Sequence, residues 1–153
     1  MAIETSKIVY GGDMMLFVGT GTSKLPVAFS TSAKLDITVA TRDISSKDSG
    51  VWTEKVGGKI DWNASTDALY TEVLTVTTGT NTFDELYTLM IARTPINCVF
   101  AATEGTAPDW TVSATKKNFT GLAIITSLSL NAPDGETATY SISLEGTGAL
   151  VMA

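Results

Sequence analysis

Apolar and polar residues alternate along most of the chain, the period of a strand with one face in a core and the other against water or a neighbour. The pattern is strongest in three places. Ala33, Leu35, Ile37 and Val39 alternate with Lys34, Asp36 and Thr38; Ile60, Trp62 and Ala64 alternate with Lys59, Asp61, Asn63 and Ser65; Ala138, Tyr140, Ile142 and Leu144 alternate with Thr139, Ser141, Ser143 and Glu145. Further strands are predicted over residues 14–18, 26–31, 70–77, 96–101 and the β-branched run 119–130. Asn131-Ala-Pro-Asp-Gly135 carries hairpin turn chemistry, so the C-terminal third reads as one long β-hairpin ending near residue 150.

Two segments break the period of two. Across residues 81–93, Phe83, Leu86, Tyr87, Met90 and Ile91 fall at helical spacing and predict an amphipathic helix of about three turns seated on a sheet. Thr82 and Glu85 are spaced as a capping box, Arg93 sits near the negative C-terminal pole, and Pro95 stops continuation. Residues 41–58 are polar and have neither period. A structureless connection of that length is uncommon in a compact domain and points to a functional loop. A second loop is expected over residues 103–117, carrying Pro108 and Trp110. The fold class is therefore mainly β, a sandwich or barrel with one flanking helix (about residues 82–93) and a long loop (about 41–58), all in a single domain of residues 1–153.

Composition changes this picture in two ways. Only 17% of residues are charged while 44% are hydrophobic, a charge-poor surface that suits extensive self-contact or equally an ordinary Thr-rich β domain. The net charge of −6, with just Arg42 and Arg93 as arginines and lysines scattered along the chain, lacks the clustered cations that grip phosphate. The first residues have no signal-peptide layout, and no apolar run is long enough to span a membrane as a helix. Cys98 is alone and lies in an apolar run, so it reads as a small buried thiol.

Candidate chemistry is sparse. The chain has no histidine, which removes the usual general base, triad partner and zinc ligand together. Asp36, Asp43, Asp48, Glu54, Asp61, Asp67 and Glu72 are spread over strands and a loop with no converging pair, and read as solvated strand faces. Asp43, Ser45, Asp48 and Ser49 match no calcium loop. Gly19-Thr-Gly-Thr-Ser-Lys24 lacks phosphate-loop spacing and reads as a turn between strands. No enzyme activity, cofactor or metal is expected.

Residues 33–70 carry a resemblance. The alternating strand Ala33–Val39 leads through Asp43-Ile-Ser45-Ser46-Lys47-Asp48-Ser49-Gly50 to Trp52-Thr-Glu54, Gly57-Gly58-Lys59, Asp61-Trp62-Asn63-Ala64-Ser65 and Asp67-Ala-Leu69-Tyr70. This order resembles the major tail tube proteins of long-tailed phages, the TP901-1-like major tail protein family. Downstream, Gly121-Leu-Ala-Ile124, Asn131-Ala-Pro-Asp-Gly-Glu136 and the run from Ala138 to Gly148 are similar as well. Asp67-Ala68 departs from the family, which more often has a glycine at that turn.

The resemblance implies a β-sandwich with a flanking helix, six copies closing into a ring, and rings stacked head to tail around a lumen through which DNA passes without specific binding. It implies a virion protein made in the host cytoplasm, whose partners are its own copies, a tail-tip or baseplate initiator, a tape measure protein and a tail terminator. Ser46, Lys47, Asp48, Ser49, Gly50, Val51, Trp52 and Glu54 are the candidate assembly residues, within the loop of residues 41–58 that is expected to be mobile until a neighbour orders it. A different class remains open beside this one: a carbohydrate- or protein-binding β-sandwich with Trp52, Trp62 and Trp110 as a stacking platform.

Overall fold

In the computed structural model, residues 8–72, 80–106 and 109–153 are described. Strands β1 (Met14–Gly19), β2 (Leu25–Pro26), β3 (Ser30–Asp43) and β4 (Lys55–Leu69) precede helix α1 (Phe83–Ala92). Then follow β5 (Ile96–Thr106), β6 (Asp109–Val112), β7 (Asn118–Asn131) and β8 (Thr139–Met152). All pairings between these strands are antiparallel, in the order β2-β1-β5-β7-β8-β4-β3, with β6 added to β5. The two ends of this order, β2 and β3, are joined by only Val27, Ala28 and Phe29, so the sheet must roll on itself. The Leu69 N–H donates to the Phe29 carbonyl at 3.1 Å and holds that corner. The sandwich-or-barrel expectation is met by one rolled sheet.

The alternating positions place the core as their period requires. Leu16 and Val18 of β1, Trp62, Ala64 and Ala68 of β4, Ile96 and Cys98 of β5, Ala123 and Ile125 of β7 and Tyr140, Ile142 and Leu144 of β8 form the main cluster. Burial pushes the Cys98 thiol up to about 12, so it stays protonated and inert, as its apolar setting suggests. Phe17, Val99 and Ala101 face the other side of β1 and β5, where Met15, Trp110 and Val112 cover them. Trp110 thus belongs to a strand, and the expected loop over residues 103–117 is mostly the β5–β6 hairpin; Pro108 lies outside the described residues.

Helix α1 starts as predicted, since the Thr82 N–H donates to Glu85 Oε2 at 2.8 Å and the reciprocal half of the capping box is present. Arg93 ends it in a left-handed conformation. Its buried face differs from the predicted stripe. Phe83, Leu86, Leu89 and Met90 pack on the core, with Phe83 edge-on to Tyr70 and Tyr140, whereas Tyr87 and Ile91 are exposed. Five apolar positions offered a stripe wider than the sheet beneath could cover, and docking selected one side of it. Asn81, just before the helix, is buried and donates from Nδ2 to the carbonyls of Val18 (2.8 Å) and Leu25 (3.0 Å), tying the helix to the β1–β2 edge.

Other boundaries moved. The strand expected over 26–31 is interrupted at Val27–Phe29 by the corner, and Phe29 adopts φ 53°. Of the strand expected over 70–77, residues 70–72 are irregular and 73–77 lie outside the described residues. Asp67-Ala68 lies within β4, so there is no turn for a glycine to make.

Candidate assembly interface

Residues 63–69 of β4 pair with β8 on one side and β3 on the other, but residues 55–62 pair with β3 alone. With their partners on β3 they form a two-stranded arm that reaches about 26 Å beyond the sheet at the usual rise per residue. Such an isolated ribbon is marginal in water by itself. Ile37 pairs with Trp62 and Val39 with Ile60, so the arm carries the core-facing apolar row outward past the core. Trp62 is the last buried member; Ile37, Val39 and Ile60 are 53%, 53% and 69% exposed. Beneath the arm runs a groove of about 650 Å³, bounded by Ile37, Ile60, Trp62, Phe119, Leu150 and Met152.

Trp62 is held at this boundary by a close approach that only glycine permits. Its indole lies flat against Gly146, where any Cβ would fall inside the ring, and a Cβ on Gly121 would come within 2.6 Å of Cζ2. The ring N–H donates to the Gly148 carbonyl at 3.2 Å.

The tip of the arm is shorter than the sequence suggested and is laced by local hydrogen bonds. Residues 41–43 and 55–58 belong to β3 and β4, leaving residues 44–54 as the connection. The Ile44 N–H donates to the Glu54 carbonyl (2.9 Å), and the Glu54 N–H donates to Ser45 Oγ (2.8 Å). Ser46 caps a single 3-10 turn, Lys47–Ser49: its Oγ accepts from the Asp48 N–H (3.2 Å) and its N–H donates to Ser49 Oγ (3.0 Å). Ser49 Oγ in turn donates to Glu54 Oε2 (3.0 Å), and Gly50 takes φ 71° to reverse the chain. The Ser45 hydroxyl and its backbone N–H hold the Asp43 carboxyl below its usual range. Short polar side chains that bond the backbone fix a loop without apolar burial. What remains unpartnered is Val51 and Trp52, 93% and 81% exposed.

The opposite face of the same strands is polar. Cross-strand rows run Ser32–Asp67–Ser141–Ser129, Lys34–Ser65–Ser143–Ser127 and Asp36–Asn63–Glu145. Asp67 accepts from Ser32 Oγ (3.1 Å) and Ser141 Oγ (2.5 Å), and Lys34 pairs with Asp36 at 3.2 Å. Across these rows one lysine stands against the three carboxylates of Asp36, Asp67 and Glu145.

The three tryptophans do not form a platform. Trp62 is in the core, Trp110 packs against the Phe17 cluster and only Trp52 is free, so the stacking-platform reading loses its geometry. Sequence reasoning placed Trp52 correctly as an exposed side chain but read Ile37, Val39 and Ile60 as core, because alternation does not show where the covering layer ends.

Comparison with known proteins agrees with this architecture. Residues 99–152 match the family model described as phage tail tube protein. No curated protein matches the sequence. Among solved structures, the fold is similar to a chain from the tail of an empty gene transfer agent (GTA) particle with C6 symmetry. That match has a TM-score of 0.74 and 16% identity, over 95% of this chain and 99% of that one. It is also similar to a chain of the SPP1 tail tube (0.66, 11%, 95% and 78%) and of the anti-feeding prophage baseplate (0.65, 11%, 99% and 97%). The match over residues 99–152 and the similarity of the whole fold both fall on tail tube and related tail proteins. The family match falls on the C-terminal hairpin and its neighbours, whereas the resemblance in the sequence rests first on residues 33–70.

Proposed function

We propose that this protein is the repeating subunit of a tail tube in a phage or phage-like virion, six copies closing into a ring and rings stacking into a conduit for DNA, with no catalytic role. The observation that carries the reading is the β3–β4 arm, which projects an apolar face and an exposed tryptophan with nothing on the described chain to cover them. Unpaired ribbons and apolar rows of this kind invite association, and head-to-tail contacts close into rings when the rotation divides a full turn. The C6 symmetry of the similar GTA tail and the presence of a similar chain in a baseplate support the ring and its contact with other tail parts. Initiator, tape measure and terminator proteins are the partners such a tube requires.

The polar rows of β3, β4, β8 and β7 are the lumen wall in this reading. Three carboxylates against one lysine repel phosphate over about 8 Å at physiological salt, which lets DNA pass without gripping it. The assembly segment is Ser46–Glu54, with Val51 and Trp52 as its contact residues.

Electron microscopy of the purified protein over rising concentration tests the reading. Six-fold rings or tubes are expected. Dispersed monomers at high concentration, or rings of another order, overturn it. Trp52→Ala should raise the concentration needed for assembly at least tenfold while changing subunit stability by no more than about 0.5 kcal/mol, as for an exposed side chain.

A further inference from the structure

Ile8, Val9 and Tyr10 stand in water, 67%, 44% and 76% exposed, although their side chains are apolar or largely so. Three such side chains in a row carry a hydration cost that a nearby apolar wall removes. A wall of that kind lies directly beyond them. A cavity of about 490 Å³ is bounded by Gly11, Gly12, Met14, Met15, Val27 and Trp110, with Phe29 on its rim, exposed and at φ 53°. At the share of liquid volume that one water takes, it has room for on the order of 15 waters, ample for an aromatic side chain.

The three residues are joined to the body by little. A single 3-10 turn, Gly11–Asp13, leads into β1; the Asp13 N–H donates to the Tyr10 carbonyl at 2.9 Å, and no side chain caps the turn. Rearranging one exposed turn lies at the low end of the free energies of local opening. Glycine at 11 and 12 puts no side chain between these residues and the cavity. The Tyr10 ring already lies across Gly12, where a Cβ would come within 2.7 Å of Cε1, so it stands at the mouth. The lining suits tyrosine better than Ile8 or Val9. Its methionines adapt to the shape of a ring, and Asp109, also on the lining, supplies a carboxylate to accept from the phenol O–H.

We propose that Ile8–Tyr10 is a strap that closes on this cavity, turning at Gly11–Gly12 and seating the Tyr10 ring among Met14, Met15 and Trp110. The structure shows the strap drawn out, and the closed position is the one the free subunit adopts in water. Closure takes the apolar wall out of water and makes the exposure of this corner depend on where the strap lies. The inference goes beyond the tube reading and does not need it, since it concerns a single copy.

The test uses the full-length chain at a concentration where light scattering shows no assembly, with anilinonaphthalenesulfonate, a dye that brightens in apolar cavities, as the probe. Tyr10→Ser, a change at an exposed side chain, should raise the dye fluorescence about threefold by shifting the strap to its open position. Tyr10→Phe keeps the ring and should stay near the wild type. A second measurement is oxidation by hydrogen peroxide, followed methionine by methionine by mass. Met14 and Met15 should oxidise about threefold faster in Tyr10→Ser than in the wild type, as their thioethers become accessible. Met152, 56% exposed and outside the cavity lining, should oxidise at the same rate in both. Unchanged dye fluorescence, or wild-type rates at Met14 and Met15, overturns the strap. So does an equal rise at Met152, which marks a general loosening of the subunit.

Discussion

The two halves of the β3–β4 hairpin have the same sequence pattern and opposite fates. In the half that continues into the sheet, Ala64 and Ala68 are buried in the main core cluster and their strand is paired on to β8. In the projecting half, Ile60, Ile37 and Val39 occupy the same face with larger apolar side chains and remain in water. Ala64 and Ala68 lie where packing is complete, Trp62 closes that half, and Ile37, Val39 and Ile60 lie beyond it. Burial on a strand is decided by what lies across from it, and the surplus apolar area on the arm, about 25 cal/mol per Å² once covered, is available to a neighbouring copy.

Four experiments break or sharpen that contrast. Trp62 closes the buried half, so Trp62→Ala should cost about 3–5 kcal/mol of subunit stability, read as a lower urea midpoint with monomeric protein. Gly146→Ala forces a methyl into the indole and should cost about 1–3 kcal/mol by the same measurement. Ile60→Thr, two residues from Trp62 on the same face, should leave the urea midpoint within about 0.5 kcal/mol of the wild type yet weaken assembly about tenfold in light scattering. If Ile60→Thr unfolds the subunit as Trp62→Ala does, the two halves are not different.

The smallest effect concerns acid. Asp43 has its carboxyl held below the usual 3.8 by the Ser45 hydroxyl and backbone N–H. A depressed carboxyl contributes to loop stability above its unfolded value and loses that contribution as pH falls through the folded one. Amide exchange at Ile44 and Ser45 should therefore be constant above pH 3.8, after correction for intrinsic rates, and should quicken below it. Asp43→Asn should abolish the pH dependence.

Much of the fold was legible because its determinants are local. Period-two alternation located β3, β4 and β8, β-branched enrichment located β7, the Asn131–Gly135 turn located the C-terminal hairpin, and the Thr82–Glu85 spacing located the helix start. The exposed Trp52 was legible too, since it lies in a polar loop with neither strand nor helix period. The internal bonding of the loop was not legible, for a physical reason. Serine and aspartate signal disorder by composition, but at the right spacing they bond their own backbone, as Ser45, Ser46 and Ser49 do.

By itself the sequence determined the β class, the single amphipathic helix, the face that each strand turns inward, and the lack of a basic surface, because these depend on residue type and near-neighbour spacing. Only the tertiary structure decided where the core stops along β4, which side of the helix docks, that Gly146 and Gly121 lie under Trp62, and that Phe29 turns left-handed at the corner joining the sheet's two ends. Each of those depends on contacts between residues far apart in the chain, set when the sheet rolls, and no local pattern records them.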